Sequence, residues 1–250
     1  MRNHYSSRIQ KQFRLRADSF ESSAHWITDK NLLDIHRSLA KPSKNNIILD
    51  LCCGTGIVGH RFLYDSSKVI GLDISIYMLK KAKEKFNFCI NARVEQLPFL
   101  DNIFDIVVCR QAFHFVDTSA VIEEMYRVSR PQGKIIISQI VPFGKEDTDW
   151  LFRIHRKKQP LLKNFLLEED IRDLLKNVGC MNIVSYEHCV EESINHWLSD
   201  PSISKEASDG VKRIVLNAPA RYKALHRTKV VNGEIFDTMR WVVMKGVKPH

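Results

Sequence analysis

The chain has 250 residues, of which 44% are hydrophobic, and it carries a formal net charge of +9. This length can bury one substantial core, so we expect a single domain over residues 1–250. No apolar run approaches the roughly 20 residues that span a bilayer, and residues 1–13 lack the apolar stretch of a secretory signal. We therefore expect a cytoplasmic protein without a membrane span.

The cysteines and the basic residues argue against two further classes of protein. No two cysteines have CxxC spacing, so neither a zinc site nor a disulfide framework is predicted, and no metal ligand is assigned. Lys and Arg are spread along the chain, which argues against a nucleic acid partner. The densest basic cluster, residues 153–158, is interpreted as a solvated helix face, with contact to an acidic substrate as the alternative.

Strands and helices alternate through the first part of the chain. After a helical pattern over 6–39, short apolar runs predict strands at 46–51, 68–72, 87–92, 104–109 and 134–141. Helices are predicted between them at 57–63, 75–86 and 119–128, with Ser75 as an N-cap. Repeated βα units predict an α/β fold with a doubly wound, mostly parallel sheet that binds its ligand at the carboxyl ends of the strands.

The alternation loosens after Pro142. Helical segments are predicted up to residue 162 and over 168–177, and a strand follows at 181–187. The stretch 191–227 has a helical pattern, and 235–244 is predicted to be the seventh and last strand. We interpret 191–233 as a helical cap inserted before that strand, and residues 1–41 as an N-terminal lid.

The most informative segment is 47–56, with the sequence IILDLCCGTG. Glycines after a strand allow a tight turn and let a ligand approach more closely than a Cβ would permit. Gly54, Gly56 and Gly59 also satisfy the GxGxxG pattern of dinucleotide sites, and Asp73 lies near the position of a ribose-binding acid. The segment therefore predicts a nucleotide-type pocket, and residues 46–141 are interpreted as the cofactor-binding half of the domain.

The charge of the turn separates two kinds of nucleotide. Asp50 stands directly before it, where a carboxylate repels a pyrophosphate and attracts a cationic amino acid. This favours a sulfonium nucleoside over a dianionic nicotinamide cofactor.

Four motifs in order give the chain a family resemblance. They are DLCCGTG at 50–56, VIGLDIS at 69–75, VEQLPF with FDIVV at 94–108, and RVSRPQGK at 127–134. They resemble the motifs of the class I S-adenosylmethionine-dependent methyltransferases (methyltransferase type 11), in particular the branch with the ubiquinone and menaquinone biosynthesis C-methyltransferases. The resemblance covers residues 48 to about 140 and includes the double cysteine of menaquinone-type members.

The resemblance implies a seven-stranded Rossmann-like fold with S-adenosylmethionine as cofactor and S-adenosylhomocysteine as product. It implies that Asp73 accepts hydrogen bonds from both ribose hydroxyls. Arg93 departs from the family pattern, because many members have an aspartate there that binds the adenine amino group, so adenine contacts fall to the Val94 backbone, to Ile74 or to Arg93 itself. The predicted cofactor-binding residues are Asp50, Cys52, Gly54, Thr55, Gly56, Asp73, Ile74, Arg93, Val94, Glu95 and Arg110.

The methyl acceptor is predicted to be a small molecule that is methylated on oxygen or carbon. The loop after the fourth strand faces the methyl group in this fold, so His114 is the candidate catalytic base, with the alternative that it only lines the pocket. The predicted acceptor-binding residues are His25, Trp26, Phe113, Phe115, Phe143 and Trp197, each with ordinary packing as the alternative.

Three other functions stay open at this point. A nucleic-acid methyltransferase fits the basic charge, although residues 110–113 read RQAF and lack the Asn/Asp-Pro-Pro-Tyr/Phe signature. A NAD-dependent oxidoreductase fits the glycine pattern alone. A non-catalytic protein that binds a ligand or partner through the same fold is the third, because fold does not fix function.

Overall fold

The structure is a computed structural model that describes residues 2–63, 68–86 and 88–250. Its eight strands form one sheet in the order β3-β2-β1-β4-β5-β8-β6, with β7 paired to β8. Strands β1 to β5 are parallel to one another, and β8 runs antiparallel between β5 and β6. The strands are β1 (Ile47–Leu51), β2 (Lys68–Asp73), β3 (Phe88–Asn91), β4 (Phe104–Arg110), β5 (Ser129–Ile140), β6 (Met181–Ser193), β7 (Lys229–Val231) and β8 (Glu234–Val247).

Eleven α-helices lie between and around the strands in the described part of the chain. They are α1 (Arg2–Arg16), α2 (His25–Thr28), α3 (Lys30–Ala40), α4 (Ile57–His60), α5 (Ile76–Ala82), α6 (Thr118–Val128), α7 (Thr148–Lys158), α8 (Glu168–Asn177), α9 (Ile194–Trp197), α10 (Lys205–Leu216) and α11 (Ala220–Leu225). Across the described ranges, no helix combines the length and apolar character needed to cross a bilayer.

The sheet separates two hydrophobic cores because side chains alternate along its strands. On β1, Ile48 packs into the core shared with α2, α3 and α5, whereas Leu49 packs into the core shared with α6 and α8. On β4, Val108 and Cys109 divide between the same two cores. Strands buried on both faces explain the near-continuous apolar runs in the sequence, and the predicted doubly wound α/β fold is confirmed.

The seven predicted strands are present, with shifted ends. The predicted strand 87–92 corresponds to β3, and Asn87 itself lies outside the described residues. The prediction of helix from residue 191 is wrong for 191–193, because β6 continues to Ser193 as an antiparallel partner of β8. An additional strand, β7, forms a hairpin with β8 through Asn232 and Gly233, whose φ angles of 52° and 80° suit a two-residue turn.

The predicted helical lid is divided into pieces. A 3₁₀ turn at Phe20–Ser22 lies between α1 and α2. Asp29 separates α2 from α3, and its side chain caps α3 by accepting a hydrogen bond from the Leu32 N–H. We call residues 2–41 the lid. Helix α1 is fixed to the body of the protein at one end by Tyr5, whose hydroxyl donates to the carbonyl oxygens of Phe115 and Leu161.

A buried polar network joins the end of the cap to the loop after β5. The His226 ring lies with Nε2 2.8 Å from Asp147 Oδ2 and Nδ1 2.9 Å from the Thr238 carbonyl, and it stacks on Tyr222 at 3.9 Å. Burial alone would raise the pKa of Asp147, but hydrogen bonds from His226 and from the N–H groups of Phe143 and Gly144 hold that pKa below its usual value. The network therefore contributes stability above the usual carboxyl pKa and loses it as the pH falls.

We predict that Asp147→Ala lowers the free energy of unfolding by about 3–5 kcal/mol, because it leaves the buried His226 ring without its partner. Asp149→Ala is the matched control, because Asp147 directly precedes α7 and Asp149 lies exposed in the first turn of that helix. Its loss is expected to lower the free energy of unfolding by no more than about 1 kcal/mol. Urea unfolding at pH 7 measures both. Equal losses in the two variants would contradict the assignment.

Candidate functional site

The turn after β1 opens toward a cavity at the carboxyl ends of the strands. Cys52, Gly54 and Gly56 have φ angles of 51°, 54° and 83°, all in the left-handed region. A Cβ added at Gly54 would meet only Phe20 Cε1, at 3.8 Å, so the turn presents its backbone to open space. Cys52 adopts this left-handed conformation although it carries a side chain.

The far side of the turn is packed by one aromatic ring. A Cβ at Gly59 would lie 2.6 Å from the Phe86 ring, and a Cβ at Gly71 would lie 2.5 Å from it. These glycines therefore allow the ring to pack between α4 and β2 and to support the turn from below. The third glycine of the GxGxxG pattern has this packing role.

Two buried carboxylates flank the turn. Asp50 Oδ2 accepts a hydrogen bond from the Gly59 N–H at 2.9 Å. Asp73, at the end of β2, accepts from the Gly54 N–H at 3.0 Å and from the Ser75 N–H at 2.7 Å. Backbone donors thus fix both carboxylates while Asp73 keeps further acceptor capacity facing the cavity.

Burial dominates the electrostatics of this pair. It raises the pKa of Asp50 to about 7 against the opposing effects of the Gly59 N–H and Arg110, and the neighbouring Asp73 adds to the increase. It raises the pKa of Asp73 to about 6, again against backbone hydrogen bonds. A positively charged ligand between the two carboxylates would remove this repulsion.

Arg110 is the last residue of β4 and lies in the same part of the cavity. Its Nη1 donates to the Ile27 carbonyl at 3.3 Å, and its guanidinium lies 5.4 Å from the centre of the Trp26 ring. Burial lowers the pKa of Arg110 to about 10, while Asp50 and Glu21 act in the opposite direction. The side chain stays charged at neutral pH and can hold an anionic group of a ligand.

The segment after β3 forms another wall of the cavity. Arg93 is held by Glu95, with Nη2 and Oε2 3.2 Å apart, and it also donates to the Ser6 hydroxyl of the lid. Asn91 supports the opposite loop by donating to the carbonyl oxygens of Asp73 and Ile74 at 3.0 and 2.8 Å. Arg93 therefore connects the lid to this wall, an arrangement that the sequence did not reveal.

Most of the predicted site residues line this one cavity, which extends from Asp73 to the cap. Those that line it are Asp50, Cys52, Gly54, Asp73, Ile74, Arg93, Val94, Glu95, Arg110, His114, Trp26, Phe115 and Trp197. Five positions on one face of α1 also line it: Tyr5, Ser6, Ile9, Phe13 and Arg16. One face of α1 is therefore a wall of the cavity.

Five predicted residues do not line the cavity. Thr55 and Gly56 belong to the turn itself and shape it from behind. Phe113 is fully buried in the core beside α6, Phe143 contacts the His226 ring edge-on at 4.9 Å, and the His25 ring stacks on His196 at 4.5 Å. Phe113, Phe143 and His25 thus lie outside the lining of the cavity and pack on other protein groups, and their contact with the acceptor stays a prediction.

We call the part of the cavity that is lined by His114, Phe115, His155, Gln159 and Trp197 the acceptor compartment. His114 lines it, is 4% exposed, and has Nδ1 2.6 Å from the side-chain nitrogen of Gln139. Burial, reinforced by the positive charge of Arg16, lowers the pKa of His114 to about 3. The imidazole is therefore neutral at physiological pH.

The sequence missed three polar residues of the cavity. Arg16 forms a buried ion pair with Asp200 at 2.9 Å, His155 lies in the last turn of α7, and Gln159 is the residue directly after that helix. The interpretation of residues 153–158 as a solvated face is wrong for His155 and Lys158, which are buried. The available signal was the apolar spacing of Leu151, Ile154 and His155 on one face of α7.

Comparisons with known proteins agree with this geometry. The methyltransferase domain family Methyltransf_11 matches residues 49–137. A demethylmenaquinone methyltransferase of Anoxybacillus flavithermus is 30% identical over 223 residues, covering 73% of this chain and 91% of that protein. A malonyl-[acyl-carrier protein] O-methyltransferase of Hamiltonella defensa is 31% identical over 136 residues, or 52% of each chain.

A further relative is matched over a shorter stretch. An uncharacterized methyltransferase-like protein of Schizosaccharomyces pombe is 33% identical over 113 residues, covering 44% of this chain and 41% of that protein. The chain thus spans about half or less of the length of this relative and of the Hamiltonella protein.

Solved structures share the fold at low sequence identity. The YcgJ protein of Bacillus subtilis aligns with a TM-score of 0.81 at 17% identity, covering 87% of this chain and 98% of that chain. Phosphoethanolamine N-methyltransferase 2 of Haemonchus contortus, solved in complex with S-adenosyl-L-methionine, aligns with a TM-score of 0.58 at 20% identity, covering 87% of this chain and 52% of that one.

Fold, turn and carboxylates define a Rossmann-like nucleoside site. The chain belongs to the class I S-adenosylmethionine-dependent methyltransferases, and its cofactor is S-adenosylmethionine. The residues present fit this cofactor, because the Gly54 backbone faces open space and buried Asp73 retains acceptor capacity beside it.

We predict that Asp73→Asn raises the dissociation constant for S-adenosylhomocysteine at least about tenfold, since a hydrogen bond to a charged group contributes about 1.5–3 kcal/mol. Because burial raises the pKa of Asp73 to about 6, the wild-type affinity is also expected to fall as the pH is lowered through that value. Isothermal titration calorimetry measures both effects. Asp105→Asn, at the opposite end of the sheet, is the control, and an equal loss in that variant would count against Asp73.

Proposed function

We propose that this chain transfers the methyl group of S-adenosylmethionine to a small-molecule acceptor, on oxygen or carbon. The observation that carries the proposal is the acceptor compartment, which continues directly from the two carboxylates and is closed by one face of α1. Its walls are mostly apolar and aromatic, with His114 as a neutral polar group among them. The names of two relatives, which refer to demethylmenaquinone and to malonyl-[acyl-carrier protein], support acceptors of this kind.

The cofactor is proposed to lie across the ends of β1, β2 and β4. Asp73 would accept hydrogen bonds from the ribose hydroxyls, and Ile74 and Val94 would pack against the adenine ring. Arg110 would form an ion pair with the carboxylate of the cofactor's methionine part. Asp50 would balance the positive charges of the same part of the cofactor. When bound, S-adenosylmethionine supplies an electrophilic methyl group on a positively charged sulfur.

The chain's own contribution is positioning. A methyl transfer disperses charge, so the protein mainly has to hold the acceptor atom in line with the methyl group and exclude water. The buried Arg16–Asp200 ion pair and the Tyr5 hydroxyl hold α1 over the compartment. Phe13 packs edge-on against Phe115 at 5.7 Å, which gives the acceptor an aromatic wall.

His114 is proposed to take a proton from the acceptor. Burial keeps the ring unprotonated at neutral pH but makes it a weak base, so it takes the proton only as the acceptor atom is methylated and becomes strongly acidic. The contact between Nδ1 and the Gln139 side-chain amide fixes the ring orientation. If the amide oxygen accepts from the Nδ1 hydrogen, Nε2 is the free base; the opposite amide orientation makes Nε2 a donor. Mutagenesis distinguishes the two roles.

Two alternatives fit the same fold. A nucleic-acid methyltransferase is favoured by the net charge of +9, but a base would have to leave its stack to enter a compartment under α1. A non-catalytic member would bind S-adenosylmethionine without transferring its methyl group.

A panel assay separates these functions. The purified chain is incubated with S-adenosylmethionine and, in turn, with phenols and quinols, carboxylic acids, amines and tRNA, and release of S-adenosylhomocysteine is measured. Release with hydroxyl or carbon-acid acceptors is expected. Release with tRNA alone would establish the nucleic-acid alternative, and cofactor binding with no release from any acceptor would favour the non-catalytic one.

We predict that His114→Gln lowers kcat by about 10²–10⁴-fold and leaves the dissociation constant of S-adenosylmethionine within about twofold. Since the pKa of His114 is about 3, its base form is fully populated from pH 5 upward, and the rate should show no His114-dependent limb between pH 5 and 8. His36→Gln is the matched control, because His36 is equally buried with a pKa of about 3 but lies in α3 outside the cavity. An unchanged kcat in His114→Gln would assign the ring a lining role only.

A further inference from the structure

A second cluster of chemically active side chains lies where the lid meets the cap, outside the acceptor compartment. His25 begins α2, Glu192 is near the end of β6, and His196 is in α9. Among the described residues, these three form the one group of three whose His and carboxylate ligand atoms all lie within 4.8 Å of one another. The ligand set combines two imidazoles and one carboxylate from two distant segments of the chain.

The carboxylate of this cluster is buried and incompletely satisfied. Glu192 is 0% exposed, and its Oε2 accepts a hydrogen bond from the His25 backbone N–H at 2.8 Å. Its Oε1 lies 2.8 Å from His25 Nδ1, yet the contact lacks hydrogen-bond geometry, and this oxygen has no hydrogen-bond partner among the described residues. A fully buried carboxylate oxygen without a donor needs either a cation or a proton.

The two imidazoles are adjacent to that oxygen. The rings of His25 and His196 stack with centroids 4.5 Å apart and an interplanar angle of 22°. The His196 backbone N–H bonds to the Ser193 hydroxyl, which fixes the first turn of α9 directly after Glu192. The His25 side chain is 56% exposed, so an ion held here would keep positions open to solvent.

We propose that His25, Glu192 and His196 bind a divalent transition-metal ion of the zinc type. Two imidazole nitrogens and a carboxylate oxygen are a donor set that zinc and its neighbours in the first transition row accept, whereas calcium and magnesium prefer oxygen ligands alone. The ion would add positive charge beside the buried Glu192 carboxylate, whose other basic neighbours are His25 and the buried Lys158 side chain. A protonated His25 paired with Glu192 is the competing arrangement, and it requires no contribution from His196.

The consequence of metal binding is structural. His25 directly precedes Trp26, which lines the cavity, so a bond from His25 to the cap residues fastens the lid next to the acceptor compartment. The ion lies outside the lining of the cavity, and we assign it no part in methyl transfer. A bound metal ion is therefore expected to raise the Tm of the protein without being required for catalysis.

The test uses the full chain after treatment with a chelator and dialysis. Zn²⁺ is titrated by calorimetry and Co²⁺ by visible absorption, and one equivalent of each is expected to bind, with d–d bands for Co²⁺ and a higher Tm with Zn²⁺. His196→Ala should weaken binding at least about tenfold and abolish the Tm shift. His188→Ala is the matched control, because His188 lies on β6, the strand that carries Glu192, and its ring contacts Asp29 of the lid outside the cluster.

Each outcome decides the proposal. Loss of binding in His196→Ala with retention in His188→Ala supports it, and His25→Ala provides the same comparison from the lid side. No binding to the wild type, or equal binding by wild type and His196→Ala, overturns it and leaves the His25–Glu192 ion pair. Far-UV circular dichroism of each variant establishes that the chain is folded before its affinity is compared.

Discussion

The structure depends on two carboxylates, Asp50 and Asp73, buried side by side at the ends of neighbouring strands. Burial raises their pKa values to about 7 and about 6, so the folded chain holds protons that the unfolded chain would release above about pH 4. Each therefore costs stability as the pH rises from about 4 to its folded-state pKa. A loss of stability of this kind is typical of a binding site, where function requires the buried groups. A cationic nucleoside bound between the two carboxylates would offset the electrostatic repulsion between them.

The lid and the cap convert this open sheet edge into a closed site. The buried ion pair between Arg16 and Asp200 crosses from α1 to the loop before α10, and the removal of one partner would leave an unpaired buried charge. Tyr5 fixes the other end of α1 through two backbone carbonyls. These contacts join distant segments of the chain and hold α1 along one wall of the cavity.

The sequence predicted what local patterns encode and missed what tertiary contacts create. The turn glycines, Asp73 and the Ser75 cap, which accepts from the Met78 N–H, follow from motifs and short-range hydrogen bonds. The β7–β8 hairpin carried a readable Asn-Gly signal at 232–233, which was instead included in the segment interpreted as the helical cap. His155 could not be assigned to the cavity because its burial depends on how α7 packs, and the cluster of His25 with Glu192 joins positions 167 residues apart. The edge-on contact of Phe143 with the His226 ring is likewise a tertiary contact that no local sequence pattern encodes.

The most direct test of the central claim is the choice of nucleotide by the ligand-free chain. Calorimetric titration with S-adenosylmethionine, S-adenosylhomocysteine and NADH, each in the same buffer at pH 7.5, measures it. The two carboxylates beside an open glycine turn predict that the sulfonium nucleoside and its demethylated product bind with one-to-one stoichiometry and that NADH gives no heat of association. Binding of NADH together with no response to either adenosyl compound would contradict the account.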